Sequence, residues 1–145
     1  MTQEEKDLLL KDLCSRLPYG VKVSCRGDFN HDWYNLESVD ITDNEVYIST
    51  CEPYYSNYTD IESTRPYLLP LSSMTEEQKN QLKEMWGANM DKAIDYSISG
   101  KERLSGLCEL SAAKEVIDWL IANHFDYRGL IEKGLAIDAT GLNIY

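Results

Sequence analysis

The sequence predicts a small α+β domain: an N-terminal helix, a three-stranded antiparallel meander, then two to four C-terminal helices. Two patterns and a length lead there. Apolar residues recur at helical spacing near the start, alternate with period two over residues 21–25 and again over 39–48, and return to helical spacing after residue 75. At 145 residues the chain has the size of one domain, burying roughly two-thirds of its unfolded surface. The expected organisation is a helix plus meander over about 3–51, a loop over 52–74, a helical part over 75–134 and a tail over 135–145.

Thr2 followed by Glu5 has capping-box spacing, and Leu9, Leu10, Leu13, Cys14 and Leu17 follow at helical intervals, predicting a first helix from about residue 3 to 16. Pro18 and Gly20 end it. Val21, Val23 and Cys25 then alternate with Lys22, Ser24 and Arg26, the signature of a half-buried strand closed by Gly27 and Asp28. Residues 28–35 show no period. Val39 and Ile41, then Val46 and Ile48, flank Asp43-Asn44, whose residues tolerate left-handed backbone and so predict a hairpin.

Pro53, Pro66 and Pro70 in a Tyr/Ser/Asn-rich stretch predict a long loop with one extended piece at Tyr67 to Leu69. Thr75 and Gln78 repeat the capping-box pattern, and Leu82, Met85 and Trp86 continue a helix to residue 86, with Gly87 as its stop. Residues 88–107 fit a ragged helix or a loop and stay unassigned. Ser111 opens the clearest helix, carrying Ala112, Ala113, Val116, Ile117, Trp119 and Leu120 and ending near Asn123. Asp126 is the expected N-cap of a short last helix with Leu130 and Ile131, closed by Gly134.

The formal charge of −11 is concentrated. Residues 28 to 62 hold Asp28, Asp32, Glu37, Asp40, Asp43, Glu45, Glu52, Asp60 and Glu62 and no Lys or Arg, interleaved with Trp33, Tyr34, Tyr47, Tyr54, Tyr55 and Tyr58. Clustered carboxylates repel phosphate backbones, which argues against direct nucleic-acid binding. Aromatic rings among negative charges suit the core of an interface with a basic protein, although a solvated sheet face with buried tyrosines gives the same pattern. The partner-contact residues expected on this reading are Glu52, Tyr54, Tyr55, Tyr58, Asp60 and Glu62.

No apolar run approaches the roughly 20 residues of a membrane-spanning helix. The start, Met1-Thr2-Gln3-Glu4-Glu5, is acidic where a secretory signal is basic and then apolar. Cys14, Cys25, Cys51 and Cys108 lack CxxC spacing and read as reduced, largely buried thiols. Together these features point to the cytoplasm.

Chemistry is thinly supported. Asp28, His31 and Asp32 combine hard carboxylates with an imidazole over five residues, a weak candidate metal set with no second histidine or cysteine nearby. His124 has a simpler explanation in the helix dipole, and a cysteine paired with it would make a nucleophile. Arg128 near a helix start could take an anion, but a salt bridge fits better with Asp126 competing for the same dipole. Phosphate-cradle, nucleophile-elbow and zinc-protease motifs do not occur. No cofactor is expected.

Three stretches, Leu9 to Lys22, Arg65 to Glu77, and Asp118 to Leu120 with His124 to Ala136, together resemble a family of short uncharacterised proteins encoded by Bacteroides-type gut bacteria and by their phages and mobile elements. The resemblance implies an intracellular accessory protein and carries no activity, cofactor or site residue. The acidic segment from Asp28 to Glu62 lies outside these stretches. The residues therefore favour a non-enzymatic interaction protein. A small hydrolase or metal-assisted enzyme using Asp28, His31 and Asp32, or a cysteine with His124, is the alternative, and a homo-oligomeric structural part is a third.

Overall fold

The computed structural model describes residues 1–25, 33–42, 45–51, 56–98 and 105–145. The first helix, α1, spans Gln3–Arg16, with the expected capping box: Thr2 Oγ1 accepts from the Glu5 amide and the Glu5 carboxylate accepts from the Thr2 amide. It gives way to a 3₁₀ turn, Leu17–Tyr19, terminated by Gly20 at φ 66°, a conformation that costs a residue with a Cβ. Leu9 and Leu13 are fully buried against the sheet.

The strands are β1 (Lys22–Cys25), β2 (Tyr34–Thr42), β3 (Glu45–Cys51), β4 (Ser56–Asp60), β5 (Thr64–Leu68) and β6 (Ile137–Asp138). They form one six-stranded sheet in the order β4-β3-β2-β1-β5-β6. The expected three strands are consecutive antiparallel neighbours, but they sit inside this larger mixed sheet rather than forming it. The predicted loop over 52–74 instead contributes β4 beside β3 and β5 beside β1. β5 then pairs in parallel with β6, drawn from the predicted tail.

A bulge in β2 sets which side chains face α1. Leu36 stands opposite Thr50 and Ser38 opposite Ser49, leaving Glu37 as the extra residue. Side chains alternate faces along a strand, so the extra residue switches parity, and Tyr34, Leu36 and Val39 all reach the core. Val21, Val23, Ile48, Ile61, Leu68, Leu130, Leu135 and Ala136 complete it.

Two long helices follow: α2 (Glu76–Ile98), started by reciprocal Thr75–Gln78 hydrogen bonds, and α3 (Ser105–Ala122), which packs against it. Gly87 does not stop α2. Its φ is not positive and the helix runs eleven residues beyond it, taking in much of the unassigned stretch. The predicted last helix is absent: residues 127–136 form a chain of turns, with Gly129 and Gly134 both at φ 69°. Asp126 accepts from the Leu130 and Ile131 amides at 2.9 and 2.8 Å, four and five residues ahead, so its carboxylate organises a loop rather than a helix start.

Candidate functional site

The register of the sheet gathers part of the acidic segment on one surface. Asp40 stands opposite Tyr47, and Tyr47 opposite Asp60, making a row across β2, β3 and β4. The adjacent row, Val39–Ile48–Thr59, belongs to the core face, where Ile48 is fully buried. Alternation therefore puts Asp40 and Asp60 on the face opposite that core row; positions 45 and 58 share their parity by register, and Ser49, paired with position 58, is buried. Asp40 and Asp60 are exposed. Two strands apart means roughly 10 Å, where two carboxylates repel by about 0.4 kcal/mol in a water-like dielectric.

The expected contact residues are divided by the structure. Glu52, Tyr54 and Tyr55 lie outside the described residues. Tyr58 and Asp60 are on the outer face by register, and Asp60 also caps the turn Ile61–Ser63, its Oδ1 accepting from the Ser63 amide at 2.7 Å. Glu62 is half exposed beside α1, where a hydrogen bond from Lys6 holds its carboxyl below the usual carboxylate range. Asp40 and positions 45 and 47 join the set instead. The signal for them was present in the alternation of Val39, Ile41, Val46 and Ile48, which leaves the intervening residues on the opposite face.

At the other end of the sheet lies a buried ionic cluster that sequence reasoning missed. Asp12 and Arg16, one turn apart on α1, are both fully buried. Arg16 Nε donates to Asp12 Oδ2 at 2.7 Å and Nη2 to Oδ1 at 3.2 Å. The same guanidinium donates from Nη2 to the Phe125 carbonyl at 2.8 Å and from Nη1 to the Ile121 carbonyl at 3.4 Å. Arg128 Nε sits 3.3 Å from Asp12 Oδ1 as an ion pair without hydrogen-bond alignment. Arg128 thus does form a salt bridge, with Asp12 of α1.

The cation at the end of α3 is consequently Arg16, not His124. His124 adopts φ 60° just past the helix and is 8% exposed, and burial, with the Arg16 and Lys22 charges, lowers its pKa to about 4. It is neutral near pH 7. Its ring stacks on Tyr145, centroids 3.8 Å apart and planes 11° from parallel, and its Nδ1 is buried without a hydrogen-bond partner. The Tyr145 hydroxyl accepts from the Lys22 amide at 3.0 Å and donates to the Tyr67 carbonyl at 2.8 Å. Since Val23 pairs with Pro66, Lys22 and Tyr67 are the next pair along, and the hydroxyl bridges the strands where their ladder opens.

Asp28, His31 and Asp32 lie outside the described residues, and among the described residues no group of three or more His, Cys, Asp or Glu could hold a metal ion. Of the candidate nucleophiles, Cys14 is exposed, with burial of its sulfur pushing the thiol upward, and Cys25 packs against the core. Cys14 is a free thiol. Exposed Cys14 corrects the expectation that it would be buried. Among the described residues no helix is long and apolar enough to cross a membrane. Comparison with family models, curated proteins and solved structures returns no match.

Proposed function

We propose that the protein is a non-enzymatic accessory protein, of the bacterial and phage-borne kind its sequence resembles, that holds a basic protein on the outer face of β2, β3 and β4. The observation that supports this reading is the cross-strand row Asp40–Tyr47–Asp60, extended by Glu45 and Tyr58 at positions of the same parity. Exposed carboxylates give long-range attraction for Lys and Arg, and aromatic residues suit the aliphatic stems of those side chains. The test is affinity capture from a host lysate with the wild type, a D40N/E45Q/D60N variant and a control of equal charge, E4Q/E77Q/E84Q. Asparagine at position 60 keeps the cap. A basic protein retained by the wild type and control and lost by the first variant supports the reading, and a partner indifferent to the choice of carboxylates contradicts it.

Self-association is a second reading, favoured by one observation. Trp86 on α2 is 45% exposed and Ile117 on α3 is 39% exposed, two large apolar side chains on the helical part that face solvent. Concentration-dependent mass from light scattering, abolished by I117E, separates this from the first reading.

A further inference from the structure

We infer that residues 139–145 form a releasable strap across the β1–β5–β6 end of the sheet, locked by Tyr145, and that proton uptake by His124 unlocks it. The strap is tied at two points. At one end Ala139 is buried and donates its amide to the Leu68 carbonyl at 2.8 Å. At the other the Tyr145 hydroxyl joins Lys22 to Tyr67. Between them Thr140, Gly141, Leu142 and Asn143 are exposed, and the described hydrogen bonds of Thr140 and Leu142 run back to Asp138 at the end of β6 and to Ala139, beside the first tie. Gly141 at φ 77° and Asn143 at φ 50° bend the span over a cleft of about 140 Å³ lined by Leu69, Ala139, Gly141, Asn143, Ile144 and Tyr145.

His124 is the platform for that end. A protonated imidazole there has a second N–H at a buried Nδ1 with no acceptor. The charged groups around it do not help: Arg16 from α1 and Lys22 from β1 are cations that oppose the proton. The carboxylates on the adjoining elements are committed, Asp12 to Arg16 and Arg128, and Asp126 to the Leu130 and Ile131 amides. Tyr145 on the strap offers its ring face, and the neighbouring Tyr67 on β5 offers a carbonyl already taken by the Tyr145 hydroxyl. Cation–π attraction to the Tyr145 ring works the other way, toward holding the strap shut. Against it stand the buried unpaired N–H and two like charges, and solvation of the imidazolium is regained only when the strap lifts.

The test is NMR of the full chain labelled in its tyrosine and histidine rings and backbone amides, titrated from pH 7.5 to 3.5, with Y145F to assign the Tyr145 ring and H124F as a variant that keeps a stacking ring without a proton to gain. In the wild type, the ring-current shift of Tyr145 and the amide shift of Lys22 are expected to collapse together. Their midpoint should follow the titration of His124 itself near pH 4, while the core amides of Val23 and Leu68 hold their positions. In H124F the Tyr145 shift should persist across the range. The inference is overturned if Tyr145 keeps its shift after His124 has titrated, if H124F releases at the same pH, or if the core resonances collapse with the strap.

Discussion

Replacing Arg16 by methionine should cost about 3–5 kcal/mol, because it strips a buried carboxylate of its bidentate partner. Asp12 and Arg16 are both 0% exposed, so solvent screens neither charge. The Ile121 and Phe125 carbonyls lose the Arg16 donor in the same step but keep backbone donors, the His124 and Tyr127 amides, so they add little to the loss. Arg128 moderates the loss, since its Nε is already 3.3 Å from Asp12 Oδ1 and only 28% of its side chain is exposed; the lower half of the range is expected. A typical domain has about 5–15 kcal/mol in total, so R16M should remain folded but move visibly in urea. The assay is urea denaturation followed by far-UV circular dichroism, with D12N and D12N/R16M completing a double-mutant cycle. D12N/R16M should be more stable than the sum of the single losses, because neither position 12 nor position 16 then holds an unpaired buried ion; only Arg128, 28% exposed, loses its partner. A loss below about 1 kcal/mol in R16M would refute the reasoning, since that is the scale of a solvated surface pair.

Stability should also fall in acid through His124. Its pKa drops from 6.5 in the unfolded chain to about 4 in the fold, so the unfolded state binds the extra proton first. The stabilisation is complete above pH 6.5 and is lost as pH falls toward 4, by at most about 3 kcal/mol and less once the strap opens; thermal melts of wild type against H124F across that window measure it. Two glycines should respond with opposite sign to alanine: G20A at φ 66° should lose about 1–2 kcal/mol, whereas G87A inside α2, with open space around its Cβ position, should gain about 0.5–1 kcal/mol, both read from urea midpoints. If Trp86 and Ile117 serve self-association, I117E should lower the mass measured by light scattering at high concentration without moving the urea midpoint.

Local chemistry was legible where it was self-contained. Both capping boxes, the Gly20 stop and the alternation that builds β1, β2 and β3 depend on residues within a few positions of each other. The sequence failed to disclose elements whose reason lies elsewhere in the chain. Ser56–Asp60 has no apolar alternation, and it becomes β4 because the edge of β3 accepts it. Thr64–Leu68 carries Pro66, which argues against an inner strand; it is nonetheless held between β1 and the two residues of β6. Asp12 and Arg16 looked like any i,i+4 pair on a solvated helix face, and only the arrival of Ile121 and Phe125 carbonyls makes them a buried cluster. Of the candidate interaction face, the density of carboxylates and tyrosines was visible in sequence. The choice of Asp40 and Glu45 over Glu62 needed the register and the position of Lys6.

The decisive measurement on the outer face of β2, β3 and β4 is the dissociation constant of the captured basic partner at low and physiological salt, for wild type, D40N/E45Q/D60N and E4Q/E77Q/E84Q. Exposed charges at an interface contribute a few tenths of a kcal/mol each, so the three changes of the first variant should weaken binding by about 1 kcal/mol, roughly 5-fold, and flatten the salt dependence. The control of equal net charge should bind like wild type. Equal weakening by both variants would mean that overall charge rather than this face attracts the partner, and would contradict the proposed site.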